Sequence, residues 1–310
     1  MNKKYVIVLP VFNESNLIDK LIIQIEKNIV DLDFNFTLLF VNDGSTDNSV
    51  EIIKNYCPSS SKIKIELIEL NTNSGHQNAI REGIIYTKNF LLDDTIGIIV
   101  MDSDGEDNPI AIKELVNIKE FDIVFVSRGK RKEKISFKIG YFFYKLIFKL
   151  ITGKTINFGN YSLLSPRVVK SISNRHFFHF SAFLSKQRFK IHTIKYDRLK
   201  RIDGKSKMGV KNLLFHGLKS FIEYTEEIVF FQMKIFGILI IFLIGTSCYI
   251  FYSKYIVKDA VLGWTSSLLA ELLNSLLIMF SSIILTTLIL TIKNTLDQKS
   301  IITKKVDINF

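Results

Sequence analysis

From residue 1 to about residue 126, short apolar runs alternate with stretches whose apolar residues recur at helical spacing. "YVIVL", "FTLLFV", "KIELIEL", "IGIIVM" and "FDIVFV" read as strands, because brief runs rich in Val, Ile and Phe suit a sheet covered on both faces. Between them, "SNLIDKLIIQIEKNIV", "DNSVEIIKNYC", "HQNAIREGIIYTKNF" and "PIAIKELVNI" read as amphipathic helices. This alternation predicts an α/β fold, a Rossmann-like and mostly parallel sheet with helices on both faces. Such sheets bind ligands beyond the carboxyl ends of their strands. Three polar clusters fall there: "PVFNE", "NDGSTD" and "DSDGED".

The pattern changes in the last third. Residues 235–252 and 272–292 contain no charged side chain, and each approaches the roughly 20 apolar positions needed to cross a bilayer. They are expected to form two transmembrane helices within 231–293, the bland alternative being a pair of buried core helices. Lys254 and Lys258 in the connector "SKYIVKDAVLG" weaken the contrast with Lys234, Lys293, Lys299, Lys304 and Lys305 on the other side. A cytosolic amino-terminal half therefore rests equally on the start "MNKKYVIVLPVFNES", which reads as a strand rather than a secretory signal. The expected location is the cell (inner) membrane, crossed more than once, with residues 294–310 a cytosolic tail.

Two further stretches are intermediate in character. In "SFKIGYFFYKLIFKLI", Lys138, Lys145 and Lys149 share one helical stripe and apolar residues occupy the rest, a pattern that suits the membrane interface and also suits an ordinary domain-packing helix. A second amphipathic helix is expected over 209–230, with Leu214, Leu218, Phe221 and Ile222 on one face. The domain that precedes it is expected to span 1–208 and to include the first interfacial helix, about 135–152.

Charge narrows the class of partner. Forty-one Lys and Arg against 30 Asp and Glu give a formal net charge of +11, favouring an anion: nucleotide, lipid phosphate, membrane surface or nucleic acid. Only two cysteines occur, Cys57 and Cys248, so a disulfide framework is not expected.

Against that basic background, "VMDSDGEDNP" places Asp102, Asp104, Glu106 and Asp107 directly behind an apolar strand. If the strand continues, Asp102 and Asp104 point the same way. Two such carboxylates call for a divalent cation, Mg²⁺ or Mn²⁺, whose remaining positions go to water and phosphate oxygens, with Glu106 completing the set. The alternative is an acidic turn capping the helix near Pro109, with Asp107 as N-cap; it accounts for Asp107 and leaves Asp102 and Asp104 unexplained. Asp43, at the end of the second strand, is placed to accept hydrogen bonds from a ribose or base edge.

In order and spacing, Pro10-Val11-Phe12-Asn13-Glu14, Asn42-Asp43-Gly44-Ser45, Asn73-x-Gly75-His76-Gln77-Asn78-Ala79 and Asp102-Ser103-Asp104-Gly105-Glu106-Asp107-x-Pro109 resemble the family 2 glycosyltransferases of GT-A fold. The full layout is similar to their polyprenyl-phosphate branch, which includes dolichol-phosphate mannose synthases and bacterial lipid-phosphate glucosyltransferases. The resemblance implies that Pro10, Asn13, Glu14 and Asp43 surround the nucleoside. Asp104 and Glu106, the latter where relatives usually carry Gln, would bind the metal, and Asp102 would support ribose or a metal-bound water. Arg128 matches an arginine used on the acceptor phosphate. "RIDGKSKMG" resembles an Arg-x-x-Gly-x-Ser-Lys segment, placing Arg201, Ser206 and Lys207 near donor or acceptor phosphates. One departure stands out: Asn160 and Ser162 replace the Asp and Arg of a Gly-Asp-Phe-Arg-Leu segment, so acceptor geometry or sugar choice is open.

The implied activity is inverting transfer of a sugar from a nucleotide sugar to a membrane polyprenyl phosphate, with Asp104 and Arg128 as the catalytic pair. The acceptor is already an anion, and its attack needs no general base; His76 is read as a helix-start residue near the donor. Expected partners are the nucleotide sugar, the lipid and the bilayer, with room for a homo-oligomer. Nucleic acid is not expected, because no binding motif accompanies the basic charge. A processive synthase acting on a saccharide acceptor and a non-catalytic, membrane-anchored binding protein of the same fold are the competing readings.

Overall fold

A computed structural model describes residues 3–128, 135–154, 158–199, 210–257, 263–296 and 303–306. The chain divides into two compact units, one of Met1–Phe142, Ile156–Glu223 and Asp297–Phe310, the other of Phe143–Thr155 and Tyr224–Leu296.

The first unit is built on one sheet. Its five expected strands are β1 (Lys4–Val11), β2 (Asn35–Asn42), β3 (Ile63–Leu70), β4 (Thr95–Val100) and β5 (Ile123–Arg128). Three more join them: β6 (Phe158–Leu164), β7 (Ile191–Tyr196) and β8 (Thr303–Val306). The order is β7-β5-β6-β4-β1-β2-β3-β8. Strands β4, β1, β2 and β3 run parallel, as β5 and β7 do. Strand β6 is inserted antiparallel between β4 and β5, and β8, from the expected tail, lies antiparallel on β3.

Alternation explains why the strands are apolar throughout. Tyr5, Ile7, Leu9 and Val11 pack on one face with Ile18, Leu21, Ile22 and Ile25 of α1 (Ile18–Ile29), alongside α4 (Ala111–Leu115). Val6 and Val8 pack on the other with Ala79, Ile80 and Ile84 of α3 (His76–Tyr86) and with α6 (Pro166–Ile172) and α7 (Phe180–Lys186). A strand with both faces covered has no position to give to water. The remaining helices of this unit are α2 (Ser49–Asn55) and α8 (Val210–Glu223). Glu223 closes α8 completely buried, and its Oε1 accepts hydrogen bonds from the Phe178 and His179 amides.

The helix over 135–152 forms as α5 (Ile135–Thr152). Its Phe142, Phe143, Leu146, Ile147 and Leu150 form an exposed apolar ridge. Helix α8 stops at Glu223 and α9 (Thr225–Tyr252) starts directly after Tyr224, rather than near residue 230. Helix α9 and a π-helical turn over Ser253–Val257 absorb the start of the expected connector, and α10 (Trp264–Leu296) pairs with α9. The two candidate spans, Thr225–Val257 and Ser266–Ile292, have mean hydropathy 2.4 and 2.3, long and apolar enough to cross a membrane. Gln232 donates to Ser282 across the pair at 2.9 Å, while Ser281, Thr286, Thr287 and Thr291 return their hydroxyls to carbonyls four residues back. Internal satisfaction of this kind suits a lipid surround.

Helix α3 approaches the sheet closely at Gly83, where an added Cβ would stand 2.4 Å from Val8 Cγ1 and 3.0 Å from Val41 Cγ2. Gly83→Ala is therefore expected to destabilise the protein by about 1–3 kcal/mol through overpacking, seen as a lower thermal midpoint of the intact chain. Adding Val8→Ala, which vacates that space, should restore part of the loss; an unchanged midpoint in the single variant would contradict this packing.

Candidate active site

The loops behind β1, β2, β3 and β4 meet at one rim of the sheet and are tied together largely by side chain to backbone hydrogen bonds. Asn13, at φ 53°, receives the Thr46 amide on Oδ1 at 2.8 Å and gives its own amide to Ser45 Oγ at 3.0 Å. Holding a non-glycine residue in the left-handed region costs energy, and these two bonds hold it there. Glu14 gives its amide to Ser49 Oγ and Ser15 to Asp47 Oδ2, both at 3.0 Å. Ser103 Oγ donates to the carbonyl of Pro10. In this way Pro10, Asn13 and Glu14 join the turns that follow β2 and β4.

Asp43 is only 3% exposed. Its two oxygens accept the Ser74 amide at 2.7 Å and the Gly75 amide at 2.9 Å, so the carboxylate shapes the approach to α3 and sets the position of His76. Burial raises its pKa, against the lowering effect of those amides and of His76. Gly44, at φ +71°, lies so close to this loop that an added Cβ would be 2.8 Å from the Asn73 nitrogen.

The acidic stretch is a turn, not the continuation of a strand. Strand β4 ends at Val100, so the period-two alternation expected for Asp102 and Asp104 does not apply. Asp107 does not cap the following helix either: α4 begins at Ala111, and Asp107 Oδ2 accepts the Asp102 amide at 3.0 Å, folding the turn back on itself. Within it, Asp104 Oδ1 accepts the Glu106 amide at 3.1 Å.

Each flank of the turn is held by residues from elsewhere. The β4–β6 register pairs Val100 with Ser162; carried two residues further, it sets Asn160 opposite Asp102. Asn160, 6% exposed, directs Nδ2 to Asp102 Oδ1 at 3.3 Å and meets His76 Nε2 at 3.0 Å. His76 Nε2 itself lies 3.1 Å from Asp102 Oδ1. Burial alone would lower the His76 pKa, but Asp102, with Asp104 and Asp43, raises it on balance. On the other flank, Arg198 pairs with Glu106. Asp104 sits between, its pKa raised chiefly by burial and then by the charge of Asp102.

The rim thus brings together Pro10, Asn13, Glu14, Asp43, Asp102, Asp104 and Glu106. Arg128 closes β5, with its side chain outside the described residues; Arg201, Ser206 and Lys207 lie outside them altogether. Arg198 was not anticipated, and its sequence signal, one arginine in the basic run "RLKR", does not set it apart. Asn160 was visible only as a departure from a motif, and Ser162 is fully buried with its hydroxyl on the Asn160 carbonyl.

Among the described residues no group of three or more His, Cys, Asp or Glu side chains is gathered to hold a metal ion. The donor chemistry nevertheless fits Mg²⁺ or Mn²⁺: two neighbouring carboxylates, Asp102 and Asp104, suit a hard cation that completes its shell with water and phosphate oxygens.

Comparison with known proteins identifies the fold and the family. The chain is 29% identical to the uncharacterized glycosyltransferase YkcC of Bacillus subtilis over 286 residues, 88% of this chain and 84% of that one. It is 29% identical to the undecaprenyl-phosphate 4-deoxy-4-formamido-L-arabinose transferase of Yersinia pestis over 164 residues, which is 52% of this chain and 47% of that protein. In structure it is similar to glucosyl-3-phosphoglycerate synthase of Mycobacterium tuberculosis, solved with Mn²⁺ and UDP-glucose, at TM-score 0.52 and 13% identity over 73% of this chain and 79% of that one. That likeness identifies the fold as GT-A. Residues 6–176 match the glycosyl transferase family 2 domain over more than half the chain, and the protein belongs to that family of glycosyltransferases.

Proposed function

We propose that the protein transfers a sugar, with inversion, from a nucleotide sugar to a membrane polyprenyl phosphate, assisted by Mg²⁺ or Mn²⁺ at the acidic turn. The observation that carries this reading is the turn itself, in which Asp102 and Asp104 are kept close at the rim of the sheet. Two comparisons support it: the Yersinia relative is an undecaprenyl-phosphate transferase, and the mycobacterial neighbour holds Mn²⁺ with UDP-glucose.

Asp102 and Asp104 are the carboxylates that would hold the cation. When bound, it supplies positive charge to a departing diphosphate. Pro10, Asn13, Glu14 and Asp43 are assigned to the nucleoside side of the site; Asp43 acts by fixing the Ser74–Gly75 backbone. His76 and Asn160 orient Asp102. Arg128 is assigned to the acceptor phosphate, and Arg201, Ser206 and Lys207 to acceptor phosphate or diphosphate, because a guanidinium or ammonium aligns an anion without taking its proton. A phosphate monoester oxygen is ionised at neutral pH and attacks directly, in a single displacement that inverts the anomeric carbon.

The acceptor class rests also on the helix pair. Helices α9 and α10 would each cross the bilayer, and α5 would lie at its surface through the ridge Phe142–Phe143–Leu146–Ile147–Leu150. The chain enters α9 from the catalytic unit and returns to that unit's sheet as β8, so two crossings leave catalytic unit and tail on one side, read as cytosolic.

Membranes carrying the protein, given radiolabelled nucleotide sugars and polyprenyl phosphate, should place label in mild-acid-labile lipid, and EDTA should abolish it. Asp104→Ala should reduce incorporation by about 100-fold or more while membrane insertion is unchanged; normal turnover would refute the metal assignment. Topology is open to thiol labelling, since Cys57 is exposed. In a Cys248→Ser background, an impermeant maleimide should reach Cys57 only in inverted vesicles and an Ala260→Cys thiol only in intact cells. Labelling of both thiols from one side would exclude two crossings with the catalytic unit inside.

A further inference from the structure

Glu106 lies in the acidic turn, yet its carboxylate is committed elsewhere. The guanidinium of Arg198 meets Glu106 Oε2, with side chains 19% and 14% exposed, respectively. The contact is reinforced by the main chain: the Leu199 amide donates to the Glu106 carbonyl at 2.9 Å. Residues 198 and 199 therefore run against Glu106 through both side chain and backbone, and the pairing follows from where β7 ends, since β7 is parallel to β5 and opens at the same rim.

We infer that Arg198 is a positioning residue of the acidic turn: it keeps Glu106 out of the cation's coordination and leaves Asp102 and Asp104 as the carboxylates that take the ion. The inference rests on the metal reading proposed above. Largely buried charges are stable only when paired, so a Glu106 that turned toward a cation would strand the Arg198 guanidinium. Asp102 is held from the opposite flank by His76 and Asn160, and Asp104 Oδ1 holds the Glu106 amide, which fixes where that residue's side chain departs from the turn. Two carboxylates suffice for Mg²⁺ or Mn²⁺, which keep most of their shell for water and phosphate. A third, unpaired carboxylate would overload the site with negative charge before an anionic diphosphate arrives; Arg198 removes that charge from the balance.

The test is binding of Mn²⁺ alone to the full-length protein in detergent, followed by electron paramagnetic resonance without nucleotide. Asp104→Asn should weaken binding by about tenfold or more, as loss of a ligand does, whereas the double variant Glu106→Gln/Arg198→Gln should stay within about threefold of wild type because a neutral pair outside the shell has been removed. Arg198→Gln alone should bind Mn²⁺ several-fold more tightly, through the released Glu106 carboxylate. A double variant weakened as much as Asp104→Asn would make Glu106 a ligand and overturn the inference with the metal site intact. Equal Mn²⁺ binding by wild type and Asp104→Asn would overturn the metal reading and the inference together. If the neutral double variant does not fold, the charge swap Glu106→Arg with Arg198→Glu keeps a pair and should retain Mn²⁺ binding; loss in that swap, with a wild-type thermal midpoint, counts against the inference.

Discussion

Asp102, Asp104 and Glu106 share one turn at the rim of a sheet with an apolar interior, and like charges brought together there repel more strongly than they would in water. Much of the surrounding architecture answers that repulsion. His76 and Asn160 hold Asp102, Arg198 holds Glu106, and Asp107 is drawn back onto the Asp102 amide. Asp104 sits between these held groups, its pKa raised by burial first and by the charge of Asp102 second. In the reading proposed for this family 2 glycosyltransferase, that charge balance is what a cation would complete, because acidic side chains by themselves cannot stabilise a leaving diphosphate.

The sheet supplies the means. A purely parallel array would deliver loops from successive strands but nothing opposite the end of β4. Inserting β6 antiparallel between β4 and β5 brings a side chain up against β4 from the other direction, and the register delivers Asn160 to Asp102. Strand β7 then ends at the same rim with Arg198 just beyond it. An amide at 160 donates to Asp102 where a carboxylate would add a further like charge.

The parts legible in the sequence were those set by local periodicity. Five strands, the helices between them and both long apolar helices follow from runs of Val, Ile, Leu and Phe, because burial on two faces or in lipid leaves no other composition available. Strands β6 and β7 were not read: "FGNYSLL" carries Gly and Asn and "IHTIKY" carries His and Lys, and both gain their conformation from neighbours already in the sheet, a tertiary preference rather than a local one. The acidic turn was visible as composition but not as geometry. Nothing local to "DSDGED" says that the strand stops at Val100, or that Asp107 turns back instead of capping a helix. Arg198 was hidden for a related reason: one arginine among several basic residues acquires a role only when the fold sets it beside Glu106.

Chain connectivity adds a constraint that hydropathy does not carry. A chain that leaves the catalytic unit at Glu223 and pairs with that unit's β3 again at Thr303 can cross a bilayer only an even number of times in between. Among the described residues that segment offers two helices long and apolar enough to cross, which is the number the two-crossing proposal requires. A strand hydrogen-bonded to the catalytic sheet lies on the same side of any membrane as that sheet, a constraint that is independent of the weak charge contrast set by Lys254 and Lys258.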